Sequence, residues 1–92
     1  MTWKVVRTRK FLRAYKRLNP ATKIAVDLES EKIAENPDLG SRKVGTLSHI
    51  YVHKFHFQKI MFLLAYTKDT NIEVLSLEMI GPHENFYRDL SH

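Results

Sequence analysis

The chain has no cysteine, which removes disulfides and thiolate-held metal as supports for the fold and suits a reducing compartment. It has no long apolar run either: the longest, IMFLLAY, falls far short of the ~20 residues that a membrane span requires. The opening MTWKVVRTRK carries no apolar stretch of signal-peptide length. Together these absences predict a soluble, cytoplasmic protein with no membrane partner. Repeats, low-complexity tracts and linkers are missing, and so are a glycine-rich phosphate loop, a nucleophilic serine motif and a carboxylate dyad. The five histidines do not compose a metal site: His53 and His56 have opposite parity on a strand, and His49 and His53 would stand ~13 Å apart along one. No metal and no cofactor is expected.

What is present suffices for one core. Ninety-two residues, 43% of them hydrophobic and 11% aromatic, support a single domain over residues 1–92 and leave no room for a second. Fifteen Lys and Arg against ten Asp and Glu give a formal charge of +5 and a sequence pI near 9.6. Such an excess draws a protein towards polyanions or towards an acidic protein, without choosing between them.

Periodicity orders the elements. TWKVV reads as a short strand. In RKFLRAYKRL, Phe11, Leu12, Tyr15 and Leu18 recur at helical spacing, and Arg9, Lys10, Arg13, Lys16 and Arg17 form the opposite, cationic face. Asn19 is placed to cap a second helix with Pro20 in its first turn, and Pro37 and Gly40 end that helix near Asn36. From Ile50 the period becomes two: IYVHKFHF, KIMFLLAYT and IEVLSLEMI read as three strands, the last two joined by KDTN. The middle one is apolar on both faces, as a strand between neighbours should be. Parity in the last groups Leu75, Leu77 and Met79 against Ser76 and Glu78. In the closing GPHENFYRDL, His83, Phe86, Tyr87 and Leu90 fall at i, i+3, i+4 and i+7, a docking stripe on a helix. The pattern is α+β: an antiparallel helix pair on one face of a sheet whose second face is partly polar.

This order of strand, two helices, three strands and a short C-terminal segment resembles the RelE/ParE superfamily of bacterial type II toxins over essentially the whole chain. The most specific match is MIGPHENFYRDL: a strand, a glycine, a histidine, then an aromatic about four residues later. YVHKFHF is similar to the family strand from which basic residues project. The resemblance implies a RelE/ParE-like fold with an antiparallel sheet of about four strands, two N-terminal helices packed on one face and a short C-terminal helical segment. It also implies a toxin neutralised by a cognate antitoxin. Two activities stay open: ribosome-dependent cleavage of mRNA, with ribosome and mRNA as partners, and inhibition of DNA gyrase by binding alone.

Metal-free scission of RNA by its own 2′-hydroxyl needs a base, an acid for the departing 5′-oxygen, and cations for the phosphorane. Parity sets Ile50, Val52, Lys54 and His56 on one face of their strand and the aromatic-rich set Tyr51, His53, Phe55 and Phe57 on the other, the better core candidate. Lys54 and His56 then stand ~7 Å apart on an open face, close enough to flank one phosphate. His53 is expected to be a packed, satisfied histidine. By resemblance Lys54 matches a catalytic lysine of the nuclease members, His83 the position of a catalytic arginine or histidine, and Tyr87 the C-terminal aromatic. Lys54 is assigned to phosphate charge, His83 to the acid, and His56 or Tyr87 to the base or to stacking a base of the mRNA. Arg42, Lys43, Lys59 and Arg88 are the expected RNA-binding cations. The arginine that the best-studied nucleases carry on the next strand falls near Met61 here. Its absence removes a contact worth about 3 kcal/mol, which Lys59, Arg42 or Lys43 would have to replace. Endoribonuclease action is the expectation and gyrase inhibition the alternative. An acidic and apolar antitoxin segment is expected on the cationic first helix and the open sheet face.

Overall fold

The structure, a computed structural model, describes residues 2–43, 45 and 49–91. Lys4–Arg7 forms β1, and Thr8 turns the chain into α1, Arg9–Lys16. The Thr8 hydroxyl accepts the Phe11 N–H at 3.1 Å, capping the helix, and donates to the Leu77 carbonyl at 3.0 Å on a distant strand. Asn19 caps α2, Pro20–Glu35, by accepting from Thr22 N–H at 2.8 Å, and Asn36 closes it, both as the sequence predicts. Then come β2, Ser41–Arg42, and three longer strands: β3 Tyr51–Phe57, β4 Ile60–Asp69 and β5 Val74–Pro82. The β4–β5 turn covers residues 70–73, slightly later than KDTN. A 3-10 turn, His83–Asn85, leads into α3, Phe86–Ser91.

The sheet order is β1-β5-β4-β3-β2. It has five strands where about four were expected, and it is not wholly antiparallel, because β1 runs parallel to β5. The additional strand is β2, whose two residues pair with β3 but are too short to show any alternation in sequence. β4 lies at the centre and is buried from Phe62 to Tyr66, which explains its apolar character on both sides.

Two clusters form the interior, one on each face of the sheet. Phe55, Phe62, Leu64, Tyr66, Leu77 and Ile80 meet Phe11, Val26 and Ile33 of α1 and α2. On the other face Phe86 of α3 covers Ile50, Val52, Leu63 and Ala65, with Met61, Met79, Tyr87 and Leu90 packed around them. The second face, expected to be open and partly polar, is therefore apolar at its centre and polar only towards its margins.

Met79 marks the place where simple parity fails. Tyr66 pairs with Leu77 but Ala65 pairs with Met79, so Glu78 is an extra residue and the strand bulges there. Leu77 and Ile80 consequently both face the helices, while Met79, grouped by alternation with Leu75 and Leu77, turns towards α3. Thr8 braces the bulge at the Leu77 carbonyl, and Thr67 donates to Glu78 Oε2 at 3.2 Å.

Tyr66 holds the opposite side of the sheet. Its ring is buried, and its hydroxyl donates to the Pro37 carbonyl and accepts the Gly40 N–H, each at 2.8 Å. A Cβ at Gly40 would lie 2.7 Å from that oxygen, so a side chain there would displace the ring or the loop. Burial pushes the Tyr66 phenol above its ordinary pKa, which keeps the hydroxyl a donor. The exit from α2 and the start of β2 are set by this bridge.

Thr8→Val should remove both the helix cap and the brace on the bulge. A loss of about 1–2 kcal/mol in urea unfolding is expected, and an unchanged midpoint would show that the hydroxyl supports neither.

Candidate functional site

Strand register builds the site from β3 outward. Lys54 lies opposite Leu63, which lies opposite Gly81, and His56 lies opposite Met61. Val52 and Leu63 belong to the α3 side, so alternation puts Lys54 and His56 there too, and both are exposed. His83 is exposed at the start of the 3-10 turn, directly after β5. The bulge leaves Gly81 on the α3 side, and the strand ends one residue later at Pro82, so His83 opens the 3-10 turn at that end of the sheet. Two strands across and two residues along, the Cα atoms of Lys54 and His83 are about 12 Å apart by ordinary strand spacings.

The C-terminal stripe docks at its centre and presents His83 at its rim. Phe86 is 1% exposed, Tyr87 stands edge-on to it with ring centres 5.3 Å apart, and Leu90 packs beside them. Lys43, held to β3 by its N–H on the Ile50 carbonyl at 2.9 Å, places its ammonium 5.2 Å from the centre of the Tyr87 ring. A cation from the β2–β3 connection thus meets the C-terminal aromatic.

The other candidate cations are spread more widely. Lys59 sits in the two-residue β3–β4 turn, where Gln58 and Lys59 adopt φ of 50° and 66°. This left-handed geometry costs about 1 kcal/mol for each side-chain-bearing residue and fixes Lys59 at the exposed tip. Arg42 lies on β2 opposite Tyr51, and Arg88 is exposed on α3 with its guanidinium 3.6 Å from Asp89. Met61 is half-buried in the α3 cluster beside His56, so that row of the sheet supplies no charge from β4.

His53 belongs to the helix side. Its Nε2 lies 2.7 Å from Glu29 Oε1, and Lys32 holds the other oxygen of the same carboxylate at 2.8 Å. Burial pushes the Glu29 carboxyl up, but the hydrogen bonds from His53 and Lys32 outweigh it and hold the pKa below the usual glutamate value. Among the described residues no group of three or more His, Cys, Asp or Glu is placed to hold a metal. Lys10, Arg13 and Arg17 of α1 border a groove of about 260 Å³ beside Met79 and Asp89, so the cationic helix flanks α3.

One surface escaped the sequence reading. Ile24 and Leu28 of α2 are 61% and 54% exposed. The signal was there, since they recur four apart on the side of the helix away from Val26, Ser30 and Ile33.

A family model described as ParE-like toxin of type II bacterial toxin-antitoxin system matches residues 5–91. No curated protein matches the chain in sequence. Among solved structures, it is similar to one from the Mycobacterium tuberculosis RelBE2 toxin-antitoxin complex, with TM-score 0.79 and 16% identity over 90% of this chain and 100% of that one. A mutant E. coli RelE in the free state gives TM-score 0.77 and 15% identity over 99% and 96% of the two chains. The intact E. coli RelBE toxin-antitoxin complex gives 0.71 and 15% over 89% and 98%. At these identities the likeness is one of fold.

The depressed Glu29 pKa sets a sign for acid sensitivity. Its stabilisation is complete above the usual glutamate value of 4.5 and is lost as pH falls through the lower folded value. Between about pH 7 and about pH 3 the urea midpoint should therefore drop further for the parent protein than for Glu29→Gln. Equal drops would mean that the carboxylate contributes nothing.

Proposed function

Because the chain belongs to the ParE-like toxins of type II bacterial toxin-antitoxin systems, we propose that it is a ribosome-dependent endoribonuclease, which halts translation until a cognate antitoxin neutralises it. The observation that carries this reading is the exposed pair Lys54 and His56 on the sheet face that α3 and the Lys43–Tyr87 contact border. Solved relatives in fold described as toxin-antitoxin complexes support the partner.

In this mechanism the mRNA 2′-hydroxyl attacks the adjacent phosphorus, and His56 takes its proton. The 5′-oxygen departs with a proton from His83, leaving a 2′,3′-cyclic phosphate. Lys54, with Lys43 and Lys59 as the nearest supplements, offsets charge on the phosphorane, and Tyr87 offers a ring for a splayed base. Arg42 and Arg88 serve as outlying phosphate contacts.

A second reading, inhibition of DNA gyrase by binding alone, is favoured by one feature: the position beside His56 on β4 is the uncharged Met61. Nuclease chemistry by this site would depend on cations drawn from turns and connections.

The test is a translating extract with mRNA ends mapped. Cutting is expected, reduced more than about tenfold by Lys54→Ala and by His83→Ala with unfolding midpoints unchanged. Normal cutting by those variants would remove the assignment. Intact mRNA together with blocked supercoiling by purified gyrase would establish the second reading.

A further inference from the structure

Half of the acidic residues of this basic chain lie in one short stretch. Asp27, Glu29, Glu31, Glu35 and Asp38 are five of its ten, and Lys32 is the one cation among them. Asp27 is engaged with Arg7, Glu29 with His53 and Lys32, and Asp38 with Lys68. Glu31 and Glu35 are exposed, and among the described residues no cation stands within ion-pair distance of either. Glu35 ends α2, where the helix dipole adds partial negative charge of its own.

These two carboxylates continue an apolar stripe. Ile24, Leu28, Glu31 and Glu35 recur at i, i+4, i+7 and i+11, along one side of the helix over about 16 Å. The first two are 61% and 54% exposed. Between this stripe and β3 runs a groove of about 440 Å³, lined also by Phe55 and Phe57, with Lys32 and His56 on its border. On the far side of α2, Glu31 and Glu35 border a second groove of about 630 Å³ together with Trp3 and Val5. The two glutamates therefore stand on a crest between grooves, at the acidic end of an apolar surface.

We infer that this outward face of α2 docks an amphipathic helix of a ribosomal protein, one that carries apolar residues followed by Lys or Arg at matching spacing. Its apolar side chains cover Ile24 and Leu28 and enter the groove at Phe57, and its cations meet Glu31 and Glu35. A helix fits because the stripe offers side chains and no free backbone groups. An acidic segment, the chemistry expected of the antitoxin, is repelled here, and a second copy would set the same carboxylates against their like. The choice of the ribosome rests on the toxin reading above: a ribosome presents RNA and basic protein side by side, RNA for the cations beside α3 and protein for this face. The face itself does not depend on nuclease activity.

Purified ribosomes are the first probe. The parent chain should sediment with them, and the double variant Glu31→Lys, Glu35→Lys should weaken that association at least about tenfold, although each substitution adds two positive charges to a chain already at +5. Association through RNA alone requires the reverse, because added positive charge strengthens it. Leu28→Lys should weaken it likewise, with unfolding midpoints unchanged since all three side chains are exposed. Variants that sediment as well as the parent, or better, overturn this proposal alone, whereas a parent that fails to sediment overturns the ribosome reading with it. The second probe keeps RNA out: two capped amphipathic peptides, Leu with Lys and Leu with Glu, are titrated into the nitrogen-15-labelled chain. The basic peptide should bind at least about tenfold tighter and shift the amides of Ile24, Leu28, Glu31 and Glu35. Equal affinities, a preference for the acidic peptide, no binding, or shifts confined to other residues would overturn the proposal. Shifts at those amides that grow with protein concentration alone would also overturn it, by giving the face to a second copy. Neither probe measures cleavage, so their failure and the failure of mRNA cutting are separate results.

Discussion

One extra residue in β5 decides which side of the sheet the end of the chain serves. With strict alternation, Leu75, Leu77, Met79 and then positions 81 and 83 would all face α1 and α2. The bulge at Glu78 switches the face after Leu77, so Gly81 comes to lie over Leu63 and the following turn opens on the side of Lys54. A bulge leaves part of the ladder unpaired and needs support from elsewhere. It comes from Thr8, whose hydroxyl ties the Leu77 carbonyl to the first turn of α1, and from Thr67, which holds the Glu78 carboxylate. The turn of backbone that starts α1 is therefore tied to the strand that leads into the C-terminal segment, and the two ends of the chain share one geometric constraint.

That constraint also explains why α3 can be so short. Six residues are too few to be stable as an isolated helix. Their order comes from burying Phe86 against Ile50, Val52, Leu63 and Ala65, and from the Lys10 ammonium on the Leu90 carbonyl. The helix covers apolar residues that the bulge and the central strand leave on that face. Tyr87 is carried along beside it, where Lys43 lies over the ring. Lys43 in turn follows β2, whose start is set by the Tyr66 hydroxyl between Pro37 and Gly40. A buried phenol on the helix face and a half-buried cation on the other are linked through a single stretch of backbone.

Most of the architecture was legible because the deciding residues act locally. Asn19 and Pro20 start α2 by capping, and β3 alternates through its full length, so the faces of Lys54, His56 and His53 follow from parity alone. β4 is apolar on both sides and proves central. The misses have non-local causes. The two residues of β2 are a strand only because β3 lies beside them. The bulge is braced by a hydroxyl about seventy positions earlier in the chain, a contact that alternation does not register, and the face of Met79 was misassigned because the bulge breaks the alternation. The parallel pairing of β1 is likewise set by the crossover through two helices, which periodicity does not register. The roles of individual site residues were carried by resemblance, since exposed polar side chains leave no packing signature in a sequence.

Charge is distributed unevenly across the two faces of the sheet. On the helix face three carboxylates are engaged: Glu29 with His53 and Lys32, Asp27 with Arg7 and the Tyr15 hydroxyl, and Asp38 with Lys68. Among the described residues no carboxylate stands within ion-pair distance of Lys43, Lys54, Lys59, His56 or His83. Leaving exposed cations without partners costs little, because water solvates them and a surface ion pair would return at most about 1 kcal/mol. Cations that are not tied to a carboxylate among the described residues add to the long-range attraction of a chain of formal charge +5 for anionic partners. The same attraction serves an acidic protein segment equally well.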